Sequence, residues 1–224
     1  MAYSQDDLKR QAAKYAMKFV AEHTIIGVGT GSTVNYFIEE LAKIKGRIDA
    51  TVSSSKATTA LLKKHGLPVV ELNHVDFLPI YIDGADEAMR YGQLIKGAGG
   101  ALLQEKILAS SARQFVCIID ESKLVKKLGN APVPVEVIPS ARSLAGRELV
   151  GLGGDPIYRE HYVTDNGNII LDVERLKISN PVELEEAINH ISGVVCSGIF
   201  AKNPADILVV ATQDGIHEYP EGLS

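Results

Sequence analysis

The densest chemistry in this sequence lies at residues 82 to 87, IDGADE, where Asp83, Asp86 and Glu87 crowd onto the end of the apolar run LPIY. Like charges this close repel, and carboxylates near a core lose hydration. Carboxylates in unlike environments hold different protonation states, which is what acid–base catalysis uses. A solvated turn whose aspartates cap a helix is the plainer alternative.

Three further stretches follow strand-like runs. GVGTGST, residues 27 to 33, opens a helix-like segment. Its glycines let the backbone approach a ligand, and a helix N-terminus attracts an anion. Ser32 stands where a dinucleotide fingerprint has its third glycine, and the next strand ends in Ser53, Ser54 and Ser55 rather than an acid. No lysine follows as in a P-loop. A phosphate monoester or similar small anion fits, as does a tight turn with Ser32 as N-cap. SSSKAT, residues 53 to 58, reads first as an N-cap. KGAGGALLQEK, residues 96 to 106, sets Lys96 before a glycine run suited to an anion nest. Glu105 follows on the first turns of a helix, where a solvated face is the alternative. Lys123, in IDESK, and Lys9, on the first helix, read equally as surface charges. Together these stretches offer cations, hydroxyls and three or four carboxylates, with no nucleophilic cysteine and no Ser-His pair. Proton transfer on a phosphorylated small molecule suits them. Aldose–ketose isomerisation is one such reaction, which composition and spacing do not single out.

The elements that must position these residues follow from hydrophobic periodicity. Leu8, Ala12, Tyr15, Phe19 and Val20 have helical spacing, as do Val34, Phe37, Ile38, Leu41 and Ile44. TIIGV, ATVSSS, LPVVEL, LPIYID and FVCIID read as strands, with helices at KATTALLKKHG and GGALLQEKILASSAR. Strands apolar on both faces that alternate with helices predict a doubly wound, mostly parallel α/β sheet. Ligands bind such sheets outside the carboxyl ends of their strands, where all four stretches fall. From residue 131 the order changes: PVEVI, SARSLAGRELV, PIYREHYVT, the turn DNGN, NIILDV, PVELEEAINHI and GVVCSGIF. This β-α-β-β-α-β order predicts a smaller ferredoxin-like α+β domain inserted at 131–203. ADILVVAT then returns to the first sheet, so residues 1–130 with 204–224 form the larger domain. The tail YPEGLS reads as loose.

The 224 residues are 46% hydrophobic and 23% charged, with net charge −5, ordinary values for a globular protein with a sizeable core. No block of like charges suggests nucleic acid or an anionic membrane. No apolar run approaches a membrane span, and MAYSQDDLKRQ lacks the core of a signal peptide. Cys117 and Cys196 lie in strand-like runs and read as buried free thiols. A cytoplasmic location is expected. The six histidines show no zinc-ligand spacing, so no metal site is expected.

Taken in order, GVGTGST, SSSKAT, YIDGADE, KGAGGALLQEK, DESK, PVEV and TDNGN resemble ribose-5-phosphate isomerase of type A, over roughly residues 5 to 218. The resemblance implies interconversion of D-ribose 5-phosphate and D-ribulose 5-phosphate through an enediolate, without metal or cofactor, by a homo-oligomer that is at least a dimer. It makes Glu105 the base between C2 and C1. Asp83 and Asp86 become the carboxylates that handle hydroxyl protons and ring opening, and Lys96 the lysine that opens the glycine motif. Thr30, Gly31, Ser32 and Thr33 form a substrate loop, with Gly84, Ala85, Gly97, Ala98, Gly99 and Lys123 also at the substrate and Lys9 near its phosphate. Ala98 departs from the KGGGG of some members, which matters only if that position needs a positive φ. Glu87 keeps a supporting or capping role. Competing readings are an amino-sugar-phosphate deaminase and a sugar-phosphate-sensing regulatory domain; the latter has no use for Glu105 and the two aspartates.

Overall fold

A computed structural model describes residues 2–220. Its larger sheet is built from β1 (Thr24–Val28), β2 (Ile48–Ser53), β3 (Leu78–Asp83), β6 (Ala112–Asp120), β12 (Ile207–Thr212) and β13 (Gly215–Tyr219). Their order is β13-β12-β6-β3-β1-β2, and every pair is parallel except β12 with β13. The sheet is covered by α1 (Gln5–Ala16), α2 (Ser32–Ala42), α3 (Lys56–Lys64) and α4 (Leu102–Ser111).

The helices follow their apolar spacing. Val34, Phe37, Ile38 and Leu41 bury one stripe of α2, and Leu8, Ala12, Ala13 and Ala16 one stripe of α1. Ser4 and Asp7 close a capping box at the start of α1. Strands β3 and β6 are buried on both faces, as a doubly wound sheet requires. The order of strands reverses between β1 and β3, and at such a switch point the two following loops open a crevice.

A second, four-stranded sheet is antiparallel throughout. It comprises β7 (Val133–Val137), β8 (Asp155–Tyr158), β9 (Ile169–Glu174) and β10 (Val194–Ser197), in the order β10-β7-β9-β8. With α5 (Arg142–Gly151) and α6 (Pro181–Asn189) its connectivity is β-α-β-β-α-β, the ferredoxin-like pattern. Both cysteines are buried and free.

Several elements differ from the sequence expectation. LPVVEL is not a strand: it makes one bridge, Thr51 with Val69, because Pro68 lacks the N–H a ladder needs. PIYREHYVT is extended only to Tyr158, after which Arg159 and Tyr162 turn toward the glycine loop. GVVCSGIF breaks at Gly198, where a Cβ would stand 2.3 Å from the Lys96 carbonyl oxygen. Its second half, β11 (Ile199–Phe200), joins β5 (Leu94–Ile95) and β4 (Glu87–Ala88) in a three-stranded sheet that periodicity did not reveal. Of YPEGLS, Tyr219 belongs to β13 and residues 221–224 lie outside the described residues.

Candidate active site

The crevice at the switch point is lined by the loop after β1, the loop after β3 and the glycine run before α4. It forms a cleft of about 190 Å³ lined by Thr30–Val34, Gly84–Asp86, Lys96–Gly99 and Glu105, and also by Lys9, Lys123, Gln5 and Asp120. GVGTGST, IDGADE and KGAGGALLQEK, with Lys123, thus meet in one place. Gln5 and Asp120 were not singled out from sequence. Asp120 caps the turn that carries Lys123, accepting from the Ser122 N–H at 3.0 Å.

Asp83 is fully buried and stands one layer behind the cleft wall. Its Oδ1 accepts from the Thr30 N–H at 3.0 Å and the Gly84 N–H at 2.7 Å, and its Oδ2 from Lys96 Nζ at 2.7 Å and from the Tyr81 hydroxyl. Gly29 must be glycine to admit this carboxylate, since a Cβ there would lie 1.9 Å from Oδ1. Asp83 therefore locks the loop after β1, the β3 exit and Lys96 together. Burial, reinforced by Asp83 and Glu105, raises the Tyr81 phenol well above its ordinary range, so Tyr81 is a permanent donor. No spacing argument pointed to Tyr81; its register opposite Gly27 puts it there.

Lys96 is 2% exposed and also donates to the Gly84 carbonyl. Burial opposes its charge, but Asp83 and Glu105 outweigh burial and hold its pKa above the usual lysine range. Glu105, on the first turn of α4, is 4% exposed. Its Oε2 lies 3.5 Å from Lys96 Nζ, an ion pair longer than an ordinary hydrogen bond, and makes no other bond. One ammonium thus serves two carboxylates, and Asp83 holds the closer contact. Burial pushes the Glu105 pKa up to about 8; Lys96 opposes the shift, and Asp83 and Asp86 add to it. This carboxyl gains a proton or releases one near neutrality, as a catalytic acid and base must.

Asp86 lines the cleft, and its Oδ2 accepts from the Ala98 N–H at 2.9 Å. Gly97 and Gly100 have φ of 102° and 80°, whereas Ala98 is not in the left-handed region, so alanine in place of glycine costs the loop nothing. Gly31, not Ser32, is the N-cap of α2, and no side chain caps it. The first N–H groups of α2 and the Ser32 and Thr33 side chains therefore face an open cleft wall, as an anion site requires. Lys123 and Lys9 also line the cleft, and Lys9 is 3.6 Å from Asp6. SSSKAT stays out of the cleft. Ser55 caps α3, and Ser54, Ser55 and Thr58 surround the Thr30 hydroxyl at 2.8 to 3.0 Å. Glu87 turns away from the cleft and clamps the Gly129 and Ala131 N–H groups at 2.8 and 2.6 Å.

Residues 50–215 match the family model of ribose 5-phosphate isomerase A (phosphoriboisomerase A). A curated ribose-5-phosphate isomerase A of Legionella pneumophila (strain Corby) is 59% identical over 211 residues, covering 94% of this chain and 98% of the relative. Among solved structures, ribose 5 phosphate isomerase A from Neisseria gonorrhoeae superposes with a TM-score of 0.95 at 50% identity, over 97% of this chain and 98% of the other. A D-ribose-5-phosphate isomerase in complex with phospho-erythronic acid gives 0.92 at 38% identity, over 96% and 99%.

Proposed function

The chain belongs to the ribose 5-phosphate isomerase A family, and from that premise we propose how its cleft carries out the family's reaction, in which D-ribose 5-phosphate and D-ribulose 5-phosphate interconvert. The observation that carries the assignment of roles is Glu105: a buried carboxylate at the cleft with an unbonded oxygen, beside a buried ammonium.

The phosphate is held by the α2 N-terminus, Ser32, Thr33 and Lys123, with Lys9 behind, which puts the sugar carbons over Lys96 and Glu105. Asp86, on the cleft wall, exchanges hydroxyl protons during ring opening and between O1 and O2. Ionised Glu105 takes the proton from C2 of the open aldose; the C2–H electron pair becomes the C1–C2 double bond and the carbonyl pair moves onto O1. Lys96 and the glycine-loop N–H groups stabilise that oxygen. Glu105 returns the proton to C1 as the C2 hydroxyl becomes the ketose carbonyl. Every proton is returned, so the step is redox-neutral and balanced. Asp83, behind the wall, keeps Lys96 charged and aimed.

Residues 1–130 with 204–224 serve as the catalytic domain and 131–203 as a supporting ferredoxin-like domain, a division supported by the separate six- and four-stranded sheets, while β11 of the second unit pairs with β5 of the first. We place the protein in the cytoplasm as a homo-oligomer; no helix among the described residues is long and apolar enough to cross a membrane. Incubation with ribose 5-phosphate should yield ketose and exchange one carbon-bound hydrogen with deuterated solvent. An amino-sugar phosphate that released ammonia while ribose 5-phosphate stayed unchanged would reverse the assignment.

A further inference from the structure

The glycine loop is gripped from outside the catalytic sheet. Between β8 and β9 the chain makes an excursion over residues 159–168 that leans on the catalytic elements at four points. Arg159 Nη1 donates to the Ala98 carbonyl at 3.0 Å, and the Tyr162 hydroxyl donates to the Gly99 carbonyl at 3.0 Å. The Asp165 carboxylate accepts from the Lys56 N–H at 2.7 Å, and Gln104, next to Glu105, donates to the Asn166 side chain at 2.8 Å. Arg159 is itself immobilised, since both oxygens of Asp172 on β9 take its Nε and Nη2 in a two-point pair. Gly100 is shaped for this contact: a Cβ there would lie 1.9 Å from the Tyr162 hydroxyl.

In a trans peptide the carbonyl and the following N–H point in opposite directions. Holding the Ala98 carbonyl out on Arg159 therefore turns the Gly99 N–H inward, on a stretch of loop that lines the cleft. The two neighbouring amides are already committed, Ala98 N–H to Asp86 and Gly100 N–H to the Gly97 carbonyl. The Gly99 N–H has no acceptor in the protein among the described residues. A donor that is fixed in direction and left unbonded beside Lys96 and Glu105 is what a developing oxyanion needs.

We propose that Arg159, assisted by Tyr162, is a positioning residue for the isomerisation: through the Ala98 and Gly99 carbonyls it aims the Gly99 N–H at the enediolate oxygen. The role rests on the isomerase reading above. Its signature is a loss confined to the reacting end of the substrate, because the phosphate subsite lies on α2 and Lys123, which the excursion does not touch.

Arg159→Lys keeps the charge but loses the planar fork, and Tyr162→Phe deletes one hydroxyl. Both are assayed in the full chain with ribose 5-phosphate, using inorganic phosphate and phospho-erythronic acid as competitive inhibitors. For Arg159→Lys, kcat should fall about 10- to 100-fold with KM within about twofold. Inhibition by phospho-erythronic acid, whose carboxylate mimics the paired oxygens, should weaken by a similar factor while phosphate inhibition stays unchanged. Tyr162→Phe should show the same split at a smaller size, and decides the matter if Arg159→Lys does not fold. An unchanged kcat in the folded variants, or phosphate inhibition weakening in step with kcat, overturns the proposal alone. A wild-type protein that cannot turn over ribose 5-phosphate overturns the isomerase reading, and this proposal with it.

Discussion

Glu105 at the cleft and Glu87 at the clamp beneath β4 are buried to the same degree, 4% exposed each, yet their chemical situations are opposite. Glu87 has two backbone N–H groups on its two oxygens. Glu185, also 4% exposed, accepts from the Ala201 and Lys202 N–H groups at 2.8 Å and pairs with Lys106. Glu105 has one ammonium at 3.5 Å, already closer to Asp83, and an oxygen with no hydrogen bond. Burial alone therefore does not mark a catalytic carboxylate. What distinguishes Glu105 is burial without donors, a condition that costs stability and keeps the group basic.

The largest effect is expected at Glu105. Glu105→Gln keeps shape but removes the proposed base, so kcat should fall about 10²- to 10⁴-fold, with loss of carbon-bound hydrogen exchange in deuterated water. Stability should move the other way. The folded pKa of about 8 lies above the ordinary 4.5, so Glu105's contribution to stability is whole below about pH 4.5 and is lost as pH climbs through about 8. The Gln variant escapes that loss. Its melting temperature should match wild type near pH 5 and exceed it at pH 8. A lower melting temperature at pH 8 would show that Glu105 is satisfied after all.

The same contrast explains what was legible in the sequence. Asp83, Asp86, Lys96 and Glu105 stood out because charge at the end of an apolar strand or beside a glycine run has few structural uses, and the switch point brings those ends together. Which carboxylate faces the cleft was not legible, since it depends on how backbone donors are distributed; Thr30 and Gly84 give theirs to Asp83. Tyr81 was missed because a tyrosine in an apolar strand reads as core. Arg159 and Tyr162 were missed because PIYREHYVT has strand-like composition, and nothing local says that it stops pairing after Tyr158. The alternation of strands and helices was legible because burial on both faces leaves long apolar runs, whereas the two-residue strands β4, β5 and β11 are too short for a period.

The next effect is on pH dependence. In the free protein Glu105 must be ionised to act, so kcat/KM should rise about tenfold per pH unit toward pH 8 and level above it. Lys96 stays charged throughout that range. A profile already flat from pH 5 would mean that the base is an ordinary, well-solvated carboxylate.

Glu87→Ala probes the satisfied side. It leaves the buried N–H groups of Gly129 and Ala131 without acceptors, so stability should drop by about 1–3 kcal/mol in denaturant unfolding. kcat of the folded enzyme should stay within about twofold. A large kcat loss with full stability would move Glu87 into the chemistry.

The smallest effect separates the two lysines of the phosphate side, where the same logic applies to cations. Lys123 makes no ion pair among the described residues, while Lys9 is 3.6 Å from the Asp6 carboxylate. A cation with a standing counter-ion has part of its field already answered, and a pair whose acid is as exposed as Asp6 is worth little by itself. Lys123 also leaves a turn that Asp120 caps, so its stem starts from a fixed point. Lys123→Ala should therefore weaken inorganic phosphate as a competitive inhibitor by about tenfold, the value of one charge-assisted hydrogen bond. Lys9→Ala should weaken it by only about two- to threefold, and Asp6→Asn should tighten it slightly by freeing Lys9. Neither lysine substitution should alter hydrogen exchange per bound substrate, because the proposed base is Glu105 and not a phosphate-side cation. If Lys9→Ala proves the costlier change, the phosphate lies nearer α1 than the turn at Lys123, and the two cations exchange roles.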